Sequence, residues 1–98
     1  MKLALSEVKK NLLEKKAFLL DVRELDEWQA AHLKNAKHHA LSQLQKGMVP
    51  KIEKTEKIYL HCRSGNRSKT AEALMKALGY KHAQSLDFSF SSLQEADL

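Results

Sequence analysis

The chain has 98 residues, of which 43% are hydrophobic and 30% are charged, with three glycines and one proline. This length suits one globular domain with its own core, so residues 1–98 are treated as a single domain. The composition excludes disordered and collagen-like proteins. The formal net charge is +5, but the lysines are scattered and no aromatic residues alternate with them, so we expect no nucleic-acid binding.

The cysteine content and the apolar runs indicate where the protein works. Cys62 is the single cysteine, so no intramolecular disulfide can form and a reducing compartment is favoured. The apolar N-terminal stretch is interrupted at Ser6, long before signal-peptide length, and no apolar run approaches membrane-spanning length. We therefore expect a cytoplasmic protein that does not associate with a membrane.

The first half of the chain predicts two helices and a buried strand. Residues 6–15 have apolar residues at helical spacing behind Ser6, a candidate N-cap. Residues 18–22, Phe-Leu-Leu-Asp-Val, form the apolar run that is typical of a parallel strand covered on both faces. Asp26 is a candidate cap for a short helix that ends between residues 31 and 33. Two weaker predictions are a short strand at 35–39 and a helical turn at 41–45.

The second half contains the clearest elements. Residues 57–61 predict a buried strand that runs directly into Cys62. A helix with a strong apolar face follows, from near Ser68 to residue 78, and Gly79 stands where a left-handed cap is favoured. A strand at 82–86 and a weak helix at 91–96 complete the chain. Alternating strands and helices indicate an α/β domain with a mainly parallel sheet, whose ligand sites lie beyond the carboxyl ends of the strands.

The loop between the second strong strand and the strong helix predicts an anion site. Unpaired backbone N–H groups and the positive end of the helix dipole converge there. These groups and nearby cations should lower the pKa of the Cys62 thiol below that of a free cysteine. Gly65 allows a tight turn, and the guanidinium groups of Arg63 and Arg67 match the oxygens of a sulfonate, sulfate or phosphate.

Residues 60–68, Leu-His-Cys-Arg-Ser-Gly-Asn-Arg-Ser, resemble the active-site loop of the rhodanese-like sulfurtransferases. Upstream segments at 20–24, 27–28 and 31–33 resemble, in the same order, the Asp-Val-Arg, acidic-aromatic and Gly-His-Ile elements of that family. The resemblance implies a three-layer α/β rhodanese-like domain with a central, mainly parallel sheet flanked by helices. It also implies a catalytic cysteine that cycles between thiol and persulfide, with no cofactor.

The same resemblance implies roles for individual residues. Cys62 would be the nucleophile. The substrate cradle would consist of Arg63, Ser64, Gly65, Asn66, Arg67 and Ser68. Structural support around it would come from Asp21, Arg23, Glu27 and His32. The sulfur donor would be a small anion such as thiosulfate, and the acceptor a thiol, cyanide or a partner protein.

The chain departs from the family pattern near its end. A glycine-rich turn and a tryptophan are replaced by Leu-Asp-Phe-Ser-Phe at 86–90 and by Leu93, which should alter the shape of the pocket. A smaller departure is Ala31, where the family has glycine. The five histidines and Cys62 match none of the paired zinc spacings, so no metal is expected.

Two other functions fit parts of the sequence. A His-Cys pair followed by a glycine-bearing loop, an arginine and a serine is also the signature of the cysteine phosphatases. A rhodanese-like domain can alternatively serve as a non-catalytic binding module whose basic surface docks a partner. Retention of Cys62 disfavours that second alternative, because a docking domain needs no reactive thiol.

Loop length distinguishes the phosphatase from the sulfurtransferase. Four residues separate Cys62 from Arg67, one fewer than in the phosphatase signature, so the ring of amides should hold little more than one sulfur atom. A phosphate would then lie too far out for in-line attack, which tolerates errors of only about 1 Å. We predict no significant hydrolysis of aryl phosphates and little inhibition by vanadate. Robust phosphatase activity that is lost in Cys62→Ser would contradict the sulfurtransferase interpretation.

Overall fold

The structure of the protein, a computed structural model, describes residues 4–98. Helices and strands alternate throughout this part of the chain. The helices are α1 (Leu5–Leu13), α2 (Leu25–Ala30), α3 (Leu41–Gln45), α4 (Asn66–Ala77) and α5 (Phe90–Glu95). The strands are β1 (Ala17–Asp21), β2 (Ala36–His38), β3 (Lys57–His61) and β4 (Ala83–Ser85).

The four strands form one parallel sheet with the order β2-β1-β3-β4. Along the chain, β2 is added on one side of β1, and β3 and β4 are then added on the other side. The direction in which strands are added therefore reverses between the central strands β1 and β3. Asp21 and His61 are register partners at the carboxyl ends of these strands. Cys62 follows His61 and therefore lies at the topological switch point between β1 and β3, where open α/β sheets bind their ligands.

The sheet separates two apolar clusters, because successive strand residues point to opposite faces. Leu20 and Leu60 belong to the cluster that α3 and α4 cover, whereas Leu19 and Tyr59 belong to the cluster that includes Val8 of α1 and Leu93 of α5. These three layers confirm the predicted α/β class and its parallel sheet.

Two predicted N-caps were wrong. Ala4 precedes α1, and Ser6 lies inside the helix with its side chain exposed. Glu24, not Asp26, occupies the N-cap of α2, and its N–H donates to the Glu27 carboxylate (3.1 Å). Ala4 has no side chain that can cap a helix, and in the second segment Glu24 and Asp26 both carry a carboxylate, so residue type alone did not identify where either helix begins.

The helix after Cys62 begins at Asn66, two residues before its predicted start. Gly65 has a φ of +101°, which brings the backbone from the loop directly into the first turn. At the other end Gly79 has a φ of +103°, as expected for a glycine that ends a helix.

The helices between residues 4 and 98 are all too short or too polar to cross a membrane.

The C-terminal helix α5 should contribute strongly to stability because Leu93 is fully buried beside Val8 and Leu98. We predict that Leu93→Ala lowers the free energy of unfolding by about 2–5 kcal/mol, the range for large-to-small core substitutions. The control Leu13→Ala removes a side chain that is 63% exposed and should change stability by about 0.5 kcal/mol or less. Urea denaturation followed by circular dichroism measures both. Equal effects would mean that α5 does not pack as described.

Candidate active site

Cys62 lies in a ring of hydrogen-bond donors between β3 and α4. Its sulfur accepts the N–H of Gly65 (3.0 Å) and lies 3.7 Å from the Ser68 hydroxyl oxygen. The ring forms because the left-handed Gly65 turns its own amide back toward the sulfur. α4 has 12 residues, so the positive end of its dipole is also directed at this point.

The pKa of Cys62 reflects two opposing effects. Burial raises it, because the residue is only 2% exposed. The amide and hydroxyl of Ser68, together with the amides of Gly65 and Ser64, lower it by more, so the net shift is downward. Hydrogen bonds to the charged form favour ionisation, so the loop makes the Cys62 thiol easier to ionise than a free cysteine.

The two loop arginines have different environments. Arg63 is exposed, and its carbonyl accepts the N–H of Phe90 (3.3 Å). Arg67 instead forms a bidentate ion pair with Glu27 of α2, with distances of 2.5 and 2.9 Å. Arg67, a predicted anion ligand, thus has its guanidinium engaged by a carboxylate, which leaves Arg63 as the exposed guanidinium of this loop.

The other predicted cradle residues divide by exposure. Ser64 and Asn66 are exposed on the loop, whereas Gly65 and Ser68 are buried beneath it. Ser68 lies inside the first turns of α4, where its hydroxyl donates to the Gly65 carbonyl (3.0 Å). The buried side of the loop therefore directs amides and a hydroxyl at the sulfur, and its exposed side carries polar side chains in contact with solvent.

Asp21 and Arg23 form a buried pair beside the loop. The Asp21 carboxylate accepts the backbone N–H of Arg23 (2.9 Å) and the Arg23 guanidinium (2.7–3.0 Å). The guanidinium also donates to the Ala31 carbonyl (2.7 Å) and lies 4.2 Å from the centre of the Phe90 ring. These contacts join the end of β1 to α2 and α5.

His61 is buried at the end of β3 between this pair and Phe90. Within residues 4–98 neither of its ring nitrogens has a hydrogen-bond partner, and Asp21 is 3.7 Å away. Burial lowers the pKa of His61 to about 4, although the charge of Asp21 opposes that shift. The ring is therefore neutral at neutral pH and adds no positive charge beside Cys62.

His32 is exposed and follows the end of α2. Its ring stacks on Trp28 with centroids 3.7 Å apart, and Nδ1 lies 2.8 Å from the Trp28 carbonyl oxygen. These contacts hold the end of α2 where the chain turns toward β2. No group of His, Cys, Asp and Glu side chains between residues 4 and 98 is arranged to hold a metal ion.

The structure adds residues that the sequence analysis did not identify. Ser85, the last residue of β4, places its hydroxyl 2.7 Å from that of Ser68. Phe90, in the segment that replaces the family's glycine-rich turn, covers the guanidinium of Arg23, a contact that the sequence did not indicate. A small polar residue at a strand's carboxyl end could have indicated Ser85, but its partner depends on how α4 packs over the sheet.

The chain is similar to known proteins in sequence and in structure. The sequence profile described as "Rhodanese-like domain" matches residues 4–96. A Bacillus subtilis protein named as a sulfur carrier, YrkF, is 36% identical over 64% of this chain and 34% of its own length. A Schizosaccharomyces pombe protein named as a mitochondrial thiosulfate sulfurtransferase is 30% identical over 70% of this chain and 57% of its own length. The chain thus spans between a third and three fifths of these relatives.

Solved structures share the fold. The human single-domain sulfurtransferase TSTD1 superposes with a TM-score of 0.86 over 99% of this chain and 97% of its own, at 24% identity. A rhodanese homologue from the bacterium Thermus thermophilus has a TM-score of 0.72 over 95% of this chain and all of its own, at 28% identity. The superposition with the human protein includes nearly the whole chain, so the substituted C-terminal segment keeps the same architecture.

The Glu27–Arg67 pair should make stability depend on pH. The Arg67 guanidinium holds the pKa of Glu27 at about 2, below its ordinary value of 4.5. The stabilisation from ionised Glu27 is therefore complete above pH 4.5 and is lost as the pH falls toward 2. We predict that Glu27→Gln lowers the free energy of unfolding at neutral pH by about 1 kcal/mol, the upper end for exposed pairs.

Urea titrations at several pH values would test this prediction. The difference between parent and Glu27→Gln should narrow as the pH falls below 4.5. A suitable control is Asp97→Asn, which removes the exposed pair with Lys34 and should have a smaller effect at neutral pH. A difference between parent and Glu27→Gln that does not vary with pH would contradict the ion-pair explanation.

Proposed function

Because the chain belongs to the rhodanese-like domain family, we propose that it is a sulfurtransferase in which Cys62 carries a sulfane sulfur as a persulfide. The observation that carries the proposal is the position of the Cys62 sulfur, which accepts the Gly65 amide at the N-terminus of α4. The match of the family profile to residues 4–96 supports treating the chain as one catalytic domain.

Transfer would take two steps. The Cys62 thiolate attacks the outer sulfur of thiosulfate, the sulfur–sulfur bond of the donor breaks, and sulfite leaves with the bonding electrons. A thiolate or cyanide acceptor then attacks the outer sulfur of the persulfide, and Cys62 is released as a thiolate. Each step exchanges one bond to sulfur for another, so no redox cofactor is needed.

The loop residues would have different roles in the transfer. The amides of Ser64, Gly65 and Ser68 stabilise negative charge on the sulfur, because they are held in place before the reaction begins. Arg63, exposed at the loop, would attract the anionic donor and the departing sulfite. Arg67, paired with Glu27, would instead hold the first turn of α4 against α2.

The persulfide chemistry of Cys62 also indicates which sulfur donors and acceptors the protein would use. Thiosulfate fits because it combines an outer sulfur with an anionic sulfonate group. The relative named as a sulfur carrier supports a second route, in which a protein-bound sulfur serves as donor or acceptor. We propose that both kinds of partner reach Cys62 through the loop surface formed by Arg63, Ser64 and Asn66.

Intact mass spectrometry tests the proposal directly. Cys62 is the only cysteine, so a covalently carried sulfur atom has one expected position. We predict that treatment with thiosulfate adds the mass of one sulfur atom, that a reductant or cyanide removes it, and that cyanide treatment yields thiocyanate. The matched control Cys62→Ser should fold and gain nothing. An unchanged mass in the parent, or an equal gain in the control, would contradict the persulfide mechanism.

A further inference from the structure

A pair of serine hydroxyls lies behind the Cys62 sulfur. The Ser68 hydroxyl oxygen, fully buried, lies 3.7 Å from the sulfur and 2.7 Å from the hydroxyl oxygen of Ser85. Ser85 ends β4, and its backbone N–H donates to the Glu72 carboxylate (2.7 Å). Glu72 belongs to α4, as Ser68 does, so the same helix positions both hydroxyls.

The Ser68 hydroxyl has one proton and three acceptors within reach. They are the Cys62 sulfur, the Ser85 hydroxyl oxygen and the Gly65 carbonyl oxygen at 3.0 Å. That carbonyl also accepts the N–H of Lys69 (3.2 Å), so it does not depend on Ser68 for a partner. The direction of the short contact between the two hydroxyls therefore decides whether the Ser68 proton is available to the sulfur.

We propose that Ser85 is a positioning residue that donates its hydroxyl proton to Ser68 and thereby directs the Ser68 proton toward the Cys62 thiolate. If Ser68 donated to Ser85 instead, its only proton would be lost to the sulfur. The proposed direction is favoured once the sulfur is charged, because hydrogen bonds to an anion are stronger than neutral ones. In a buried site, the hydrogen bond from Ser85 to Ser68 also polarises the Ser68 hydroxyl and so strengthens its hydrogen bond to the charged sulfur.

The two hydroxyls would respond to the ionisation of the sulfur. In the neutral state the Cys62 thiol donates to the Ser68 oxygen, and the Ser68 proton turns to the Gly65 carbonyl. When the thiol loses its proton to solvent, the Ser68 hydroxyl rotates and donates to the sulfur. No proton passes between the serines, and each hydroxyl keeps its own. The inference rests on the proposed function, since the thiolate is the reacting form.

The pH dependence of Cys62 alkylation by iodoacetamide tests this role. We expect Ser85→Ala to react up to about fivefold more slowly than the parent at mildly acidic pH, because the Ser68 hydroxyl can still donate to the sulfur but has lost the donor that strengthens this hydrogen bond. At high pH, where both proteins are fully ionised, the rates should converge. Ser85→Thr should react like the parent, and Ser85→Val, which has the shape of threonine without its hydroxyl, should react like Ser85→Ala.

A double-mutant cycle separates this role from a general effect on packing. In a Ser68→Ala background, Ser85→Ala should cause no further slowing, because the hydroxyl that it directs is absent. The control Ser6→Ala removes an exposed hydroxyl of α1 and should leave the pH profile unchanged. Slowing by the same factor at every pH, or undiminished slowing in the Ser68→Ala background, would overturn the inference.

The alkylation test of Ser85 remains conclusive if one variant fails to fold, and it does not depend on sulfur transfer. If Ser85→Ala does not fold, the comparison of Ser85→Thr with Ser85→Val decides alone, because these side chains differ only in the hydroxyl; equal pH profiles would overturn the inference. Alkylation also requires no sulfur transfer. If the double-mutant cycle gives the expected alkylation rates but thiosulfate adds no mass, only the proposed function is rejected. If thiosulfate adds the mass of one sulfur atom but the alkylation rates do not depend on Ser85, only the role of Ser85 is rejected.

Discussion

The hydrogen bond from the Gly65 amide to the Cys62 sulfur (3.0 Å) is the contact on which the site depends. It requires Gly65 to adopt a φ of +101°, a conformation that residues with a side chain rarely reach. A methyl group there would lie 3.9 Å from the Leu86 carbonyl oxygen, an ordinary contact. The backbone conformation, and not a lack of space, is therefore what calls for glycine.

Burial of the sulfur makes this arrangement sensitive to its surroundings. Cys62 packs in the same apolar cluster as Leu60 and Ala71, so the site opposes a charge on the thiol. The same apolar surroundings strengthen each hydrogen bond to the sulfur, because the effective dielectric constant is low. The amides and the Ser68 hydroxyl together therefore outweigh the effect of burial on the pKa of Cys62.

The register of the central strands positions the rest of the site. The pairing of Asp21 with His61 brings the Asp21–Arg23 pair beside the start of the Cys62 loop. Phe90 then covers Arg23 and donates its backbone N–H to the carbonyl of Arg63. The C-terminal segment, in which the family's glycine-rich turn and tryptophan are replaced, thus contacts the site through a phenylalanine at the start of α5.

The α/β class, the strand that leads into Cys62 and the loop that follows it could be predicted from the sequence alone, because apolar runs and helical periodicity are local patterns. The sequence also placed the rhodanese-like elements in order. The pairing of Arg67 with Glu27, 40 residues away, and the contact of Ser68 with Ser85, 17 residues away, became visible only in the folded chain. Both contacts depend on how helices cross the sheet, and a linear pattern of residue types does not specify that packing.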